Sequence, residues 1–548
     1  MTNAAELFVR AASRFPDRPA LWVDGRTWSY RSLLARARRL AARLREVEGT
    51  VCATLGERSL TAYCAPLACM LAGRIHVPLG ANFPPARMAG ILQRTRPSVL
   101  ICDTGGEAVL DEVLDALGFE VTVIRPESGP VDEDVPGADP ELELPPPGDP
   151  GAVATAGLGV PDEAIAYVLF TSGSTGQPKG VAVGHSALCA YVEATLARYP
   201  EIDQHQRCTQ LFESTFDLSM HDMFVTWAAG ACLYCVPRQA LLMPTDFVNE
   251  HAVTVWFSVP SLAATLQRYR LLGQGVFPTL VLALFCGEAL PGPLASAFAA
   301  AAPGARCENL YGPTEATIAC TAHPVGAIDH GNSVVPIGKA LPGMEATVVT
   351  PEGTPCPAGE IGELWLGGRQ LAFGYWQDPA QTQARFVEAT LPGHQAGRWY
   401  RTGDLARADG EGNLHFHGRA DRQVKLRGYR VELQEIEAQL REICSQPGHP
   451  AEVAVVVLPA AGDQAPTAVA AFVVCEDFQK AAAVATMKAR LPAYMIPGAI
   501  HVLDKLPLNS NGKVDYPALA ARLDAPAAGR RAHVGAGAAD GQATREKA

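Results

Sequence analysis

The sequence predicts an α/β protein: a large N-terminal part of layered α/β subdomains, followed by a small, mobile α+β domain. Three observations carry this. The chain has 548 residues, more than one ordinary hydrophobic core organises. From Ile165 to about His417, short β-type runs alternate with helical runs, as in parallel strands joined by helices. Near Arg419 that alternation stops and a different order of elements begins.

Taken in chain order, "LTAYCAPLACMLAG" from Leu60 is apolar but too short to span a bilayer, so it reads as a buried helix. Residues 126–163 are rich in Pro, Gly and acids and read as a long exposed loop between two lobes. "AIAYVLF", "ACLYCVP", "VTVWFSV" and "TLVLALF" are strand candidates, and "ALCAYVEATLARY" is a helix. Beyond Arg419, Leu433, Ile436, Leu440 and Ile443 recur at helical spacing. The strands "EVAVVVLP" and "AVAAFVVCE", the helix "FQKAAAVATMKARL" and a short strand "AIHVLDKLPL" follow. The expected units are 1–418, 422–523 and a disordered tail, 524–548, too poor in apolar residues to fold.

Composition excludes several function classes. At 48% hydrophobic, 19% charged and a formal net charge of -12, the chain reads as globular and a poor binder of nucleic acid or anionic membranes. The N-terminus lacks a basic segment followed by an apolar one, so a cytoplasmic location is expected. The 14 cysteines are scattered through apolar runs, as reduced buried thiols are. Cys232 and Cys235 have no second pair, and His415 and His417 have no third ligand nearby, so neither pair makes a metal site.

"LFTSGSTGQPKGV", Leu169 to Val181, has the chemistry of a phosphate cradle. Glycine frees backbone N–H groups, Ser and Thr supply hydroxyls, and Lys supplies a point charge. It is not the P-loop of nucleotide hydrolases. Pro178 stands where that pattern needs Gly, and Gly180 where it needs Ser or Thr. "GVAVGH" follows the Lys, so the loop joins two strands and the next helix starts near Ser186. A plain surface turn is the competing reading of the loop alone.

Together with "NLYGPTEATIACT" from Asn309, "WYRTGDLARADGEGNLHFHGRADRQVKLRGYRVELQEIE" from Trp399 and "LPLNSNGKVDYPAL" from Leu506, the loop resembles the ANL superfamily of adenylate-forming enzymes. Within it the chain is similar to the amino-acid adenylation domains of nonribosomal peptide and antibiotic biosynthesis, over roughly residues 5–523. The resemblance implies ATP and Mg²⁺ as cofactors. A carboxylate attacks the α-phosphate, pyrophosphate leaves, and the acyl-adenylate then acylates a thiol.

It also implies roles. Thr171, Ser172, Gly173, Ser174, Thr175, Gly176 and Lys179 cradle the β- and γ-phosphates. Glu315 holds Mg²⁺, Thr314 bonds the α-phosphate, Tyr311 stacks on adenine, Asp404 accepts from the ribose hydroxyls, and Arg419 lies near the ribose. Lys513 bridges carboxylate and α-phosphate in the adenylation step. Asp421 is the hinge about which the small domain swings, bringing first Lys513 and then Lys425, Arg427 and Gly428 to the site.

Asp217 matches the Asp that pairs with the α-amino group of an amino-acid substrate. Read alone, it is equally a surface cap for a helix starting at Leu218. Leu218, His221, Phe257, Leu284, Cys286, Leu310, Ile318 and Ala319 complete the implied pocket, which is mostly apolar and expected to reject charged side chains. The set is similar to that of free-standing proline-activating enzymes, with alanine, cysteine, serine and threonine as alternatives. With no condensation or carrier motif found, the expected partner is a separate peptidyl carrier protein bearing phosphopantetheine. An acyl-CoA or amide-forming ligase is the other enzyme class. A non-catalytic scaffold would be expected to lose Lys513, Glu315 or Asp404, and all three are present.

Overall fold

The computed structural model describes residues 3–127, 161, 163–173, 178–326, 334–445, 451–458, 467–475, 478–509 and 513–524. Most of the expected interlobe loop, Ser174 to Gly176 of the phosphate loop, and the tail from 525 lie outside the described residues.

Among the described residues, a nine-stranded sheet has five parallel neighbours at its centre: Cys232–Cys235, Arg207–Gln210, Val255–Ser258, Leu282–Phe285 and Arg306–Tyr311. A seven-stranded sheet runs parallel from Thr122–Ile124 through Val99–Cys102, Val51–Leu55 and Ile75–Leu79 to Ile165–Thr171. Lys179–Gly184 then returns antiparallel to Ile165–Thr171, so the phosphate loop does join two strands, and the next helix, His185–Arg198, follows at once.

Alternation along the strands builds the layers. In the nine-stranded sheet Val255, Phe257, Leu282 and Leu284 face one core, while Trp256, Ala283 and Phe285 face another. In the seven-stranded sheet Tyr167, Leu169, Val181 and Val183 join that first core, and Val168 and Ala182 turn to a third. The first core therefore lies between the two sheets. The helices Leu60–Leu71 and Leu218–Ala228 lie in it and are buried on nearly every side, so they are apolar all round rather than amphipathic.

The expected parallel alternation does not extend to His417. Met344–Val349, Gly362–Gly368, Gly397–Ala408, Phe386–Ala389 and Leu414–Arg419 form a separate antiparallel sheet. The turns 390–396 and 409–413 are too short for the crossover a parallel pair requires. In one of them Asp409 Oδ1 accepts from the backbone N–H of Glu411 at 3.0 Å and of Asn413 at 2.8 Å, folding Ala408 back onto Leu414.

From residue 423 onward the chain has its own cores. A hairpin pairs Gln423–Leu426 with Tyr429–Glu432 and leads into the helix Leu433–Cys444. The three-stranded sheet of Glu452–Leu458, Ala468–Val474 and Ala499–Val502 follows, with Val453 and Val455 facing one cluster and Ala454 and Val456 the other. The molecule is a large N-terminal α/β domain with a smaller C-terminal α+β domain.

Candidate active site

The site forms where the parallel strands of the nine-stranded sheet end, the usual place for ligands in open α/β sheets. Cys286 and Gly287 follow one strand and Tyr311 ends the next. Two cavities meet there. One, of about 530 Å³, is lined by Gly287, Tyr311, Asp404, Arg419, Asp421 and Lys425, among others. The second, of about 90 Å³, takes in Thr171, Ser172, Asp217, Thr314, Gly428 and Arg430. Both are closed on one side by residues of the 423–432 hairpin.

Lys179, which closes the phosphate loop, stands in a charged cluster. Lys179 Nζ lies 3.6 Å from Glu315 Oε1, and Arg430 Nη1 lies 2.7 Å from Glu315 Oε2. Tyr375 donates its hydroxyl to Glu315 Oε1 at 2.9 Å. Glu315 is fully buried. Burial alone would raise its pKa, but Arg430 and Lys179 hold it well below the usual carboxylate range. Burial and the neighbouring Arg430 push Lys179 down to about 8, with Glu315 opposing them. Glu432 also lies near both cations, so Lys179 and Arg430 face two carboxylates, and an added anion would meet two cationic side chains there. The Thr171 hydroxyl is buried without a hydrogen-bond partner and lines the same space. Ser172 is engaged: its hydroxyl donates to Arg430 O at 2.7 Å and accepts from the Glu432 N–H at 3.1 Å.

No group of three or more metal-ligating side chains occurs among the described residues. Glu315 nevertheless fits Mg²⁺, because one carboxylate suffices for an ion whose other ligands are phosphate oxygens and water. Arg430 holds Glu315 Oε2 at 2.7 Å, so an ion held by Glu315 would share that carboxylate with Arg430.

On the nucleotide side, Tyr311 donates its hydroxyl to Asp404 Oδ2, and Arg419 donates to Asp404 Oδ1. Arg419 also grips Asp421 through Nε at 2.6 Å and Nη2 at 2.8 Å. Burial would lower the Arg419 pKa, but Asp421 and Asp404 raise it. The residues expected at the ribose and the hinge are thus one connected network.

Asp217 precedes the helix Leu218–Ala228 but does not cap it through its side chain, and its own backbone is already helical. The surface-cap reading fails, because Asp217 is buried. Burial pushes its carboxyl up to about 6, partly offset by the Thr314 hydroxyl and the charge of Lys425. Leu218, Phe257, Leu284, Cys286, Leu310, Ile318 and Ala319 pack into the core between the sheets. His221 shares a 2.6 Å hydrogen bond with the Tyr191 hydroxyl, and its ring lies 4.2 Å from that of Phe257. Burial holds His221 down at about 3, so it is neutral and adds no charge to the pocket.

Gly312 fixes the shape of this wall. A Cβ there would come within 2.6 Å of Ala319 Cα and of Ile318 O, both backbone atoms. Gly312→Ala is therefore expected to lower stability by about 1–3 kcal/mol, the usual range for overpacking, and to raise the KM for the amino acid. Thermal unfolding and steady-state kinetics check this.

Lys425 and Gly428 line the cavities, whereas Arg427 is exposed at the hairpin turn. Lys513 is not brought to the site. It is exposed, and its backbone closes a turn with Asn509. Sequence reasoning missed Arg430, although it lies in the quoted "RGYR", and Tyr375, which carried no spacing signal.

The fold and site place a Lys–Arg–Glu cluster beside cavities that include the buried carboxylate of Asp217. Residues 8–376 match the family model "AMP-binding enzyme", and 441–513 match "AMP-binding enzyme C-terminal domain". The chain belongs to the AMP-binding enzyme family, within the ANL superfamily of adenylate-forming enzymes. It is 33% identical over 521 residues to a linear gramicidin synthase of Brevibacillus parabrevis, covering 94% of this chain but 9% of that protein. The chain thus spans a small fraction of the first curated relatives it matches. It is 31% identical to the L-proline–[L-prolyl-carrier protein] ligase of Pseudomonas fluorescens, covering 95% of this chain and 99% of that one. The solved adenylation domain AlmE of Vibrio cholerae, in complex with glycyl-adenosine-5'-phosphate, is 30% identical with a TM-score of 0.83. That match covers 96% of this chain and 98% of the other. Among the described residues, no helix is long and apolar enough to cross a membrane.

Proposed function

We propose that the protein activates a small neutral amino acid, L-proline first, as its aminoacyl-adenylate and passes it to the phosphopantetheine thiol of a separate carrier protein. The observation that carries this is Asp217: a carboxylate buried beside an apolar wall is costly unless a cation joins it. An α-ammonium group is such a cation. The prolyl-carrier ligase, similar over nearly its whole length, supports proline and a carrier as partners.

In the first step the substrate carboxylate attacks the α-phosphate and pyrophosphate leaves. Lys179, Thr171 and the loop N–H groups hold the β- and γ-phosphates, and Thr314 holds the α-phosphate. Glu315 would hold Mg²⁺, which would supply charge neutralisation at the phosphates. Lys513 bridges the two anions in this step, reaching them by rotation of residues 422–523 about Asp421 against 1–418. In the second step the thiol sulfur bonds the acyl carbon and AMP leaves. Lys425 and Gly428 at the cavities, with Lys513 outside, support reading this structure as the arrangement for that second step.

Amino-acid-dependent pyrophosphate exchange into ATP, run over a panel of single amino acids, tests the reading. Proline is expected to drive the strongest exchange, with acidic and basic amino acids at least about 100-fold weaker because the pocket leaves their charge unpaired. Strongest exchange with alanine, cysteine, serine or threonine keeps the chemistry and replaces proline. No exchange with any amino acid overturns the proposal.

A further inference from the structure

Glu288 lies on the loop that carries Cys286 and Gly287, and it is buried. Its two oxygens hold two different elements. Oε2 accepts the Ser261 N–H at 2.8 Å, in the first turn of the helix Pro260–Arg268. Oε1 accepts the Gly428 N–H at 2.6 Å, at the turn of the C-terminal hairpin. Burial raises the Glu288 pKa, and the two N–H groups and Lys425 act against that rise.

The turn fits closely there. Gly428 has φ +85, and a Cβ on it would lie 2.6 Å from Val259 Cγ1. Lys425 is on the same hairpin. Its charge reaches Asp217 and Cys286, and its Nζ stands 5.8 Å from the centre of the Tyr311 ring. A hairpin pinned at Gly428 therefore fixes where the Lys425 ammonium stands in the site.

We propose that Glu288 is a positioning residue for thiol transfer: its carboxylate is the socket that receives the Gly428 N–H and seats Lys425 at the acyl-adenylate. The proposal rests on the function proposed above. A carboxylate that only capped the helix Pro260–Arg268 would serve stability and both half-reactions alike.

The test uses the full chain, its Glu288→Ala and Glu288→Gln variants, and the best amino acid from the panel. Adenylation is read as pyrophosphate exchange. Transfer is read as single-turnover AMP release from preformed aminoacyl-adenylate on adding pantetheine. Hydrogen–deuterium exchange of the 423–432 peptide gives a readout independent of activity. Expected for Glu288→Ala is a fall in transfer of about tenfold or more, as for a lost hydrogen bond to a charged group, with a smaller fall for Gln. Pyrophosphate exchange stays within about threefold of the parent, since Lys513 rather than the hairpin serves that step. Faster deuterium uptake is expected in 423–432 but not in 452–458. Unchanged transfer overturns the proposal, as does an equal fall in both half-reactions. A parent chain inert with every amino acid defeats the underlying function instead, and unchanged deuterium uptake at 423–432 in the variants overturns the Glu288 socket on its own.

Discussion

Asp217→Ala lowers amino-acid-dependent pyrophosphate exchange by about 30-fold or more, from the ~2–5 kcal/mol that truncating one partner of a buried charge pair costs. The loss is expected in amino-acid KM, because in the proposed site Asp217 meets the ammonium and not the reacting carboxylate. The same residue sets a pH dependence. Its carboxyl is raised from 3.8 to about 6, so the folded protein holds a proton that the unfolded chain has already released. The stability gained from that proton is complete below 3.8 and is lost as pH rises through about 6, an effect of about 3 kcal/mol. Substrate binding runs the other way. It needs the ionised carboxylate, so amino-acid KM is expected to rise about tenfold per unit as pH falls below about 6. Asp217→Asn removes that slope; KM measured between pH 5 and pH 8, roughly the range over which this group titrates, reads the binding effect, and thermal unfolding over the same range reads the stability effect.

Gly428→Ala and Lys513→Ala separate the two half-reactions in opposite directions. A methyl at 428 meets Val259 Cγ1 at 2.6 Å and strains a backbone at φ +85, so the hairpin cannot seat. Transfer from preformed adenylate to pantetheine falls at least about tenfold, while exchange is retained. Lys513 is exposed and away from the cavities. Its loss leaves transfer intact and lowers exchange by about 100-fold, the scale of one electrostatic donor at a transition state. Equal effects of both variants on both steps would contradict a site completed twice by different faces of one domain.

Much of this was legible in the sequence because it is local. The strand–loop–strand around Lys179 follows from "YVLF" and "GVAV" on either side of the loop. The helix Leu433–Cys444 follows from its spacing of apolar residues. The antiparallel sheet between 344 and 419 was hidden because one helix, Pro379–Arg385, imitates the alternation. Pairings at long range left no trace. Arg430 with Glu315 is 115 residues apart and Gly428 with Glu288 is 140, and neither pair has a period or motif that points to its partner. The neutrality of His221 was not legible, because sequence shows the ring and not its burial.

The Asp404–Arg419–Asp421 network has a thermodynamic consequence. Asp404 has both oxygens engaged inside the protein, one by Tyr311 and one by Arg419, and Arg419 turns two further donors to the proposed hinge. A ribose that donates its hydroxyls to Asp404 would share those oxygens with Tyr311 and Arg419 and, where it displaced Arg419, would loosen this clamp. Linkage then makes the two equilibria symmetric: whatever free energy the nucleotide gives up in freeing the hinge, a domain fixed in the present orientation subtracts from nucleotide affinity. On the proposed mechanism, locking the hinge would weaken AMP by the same factor that AMP unlocks it, so the affinity of AMP would gauge where the small domain stands.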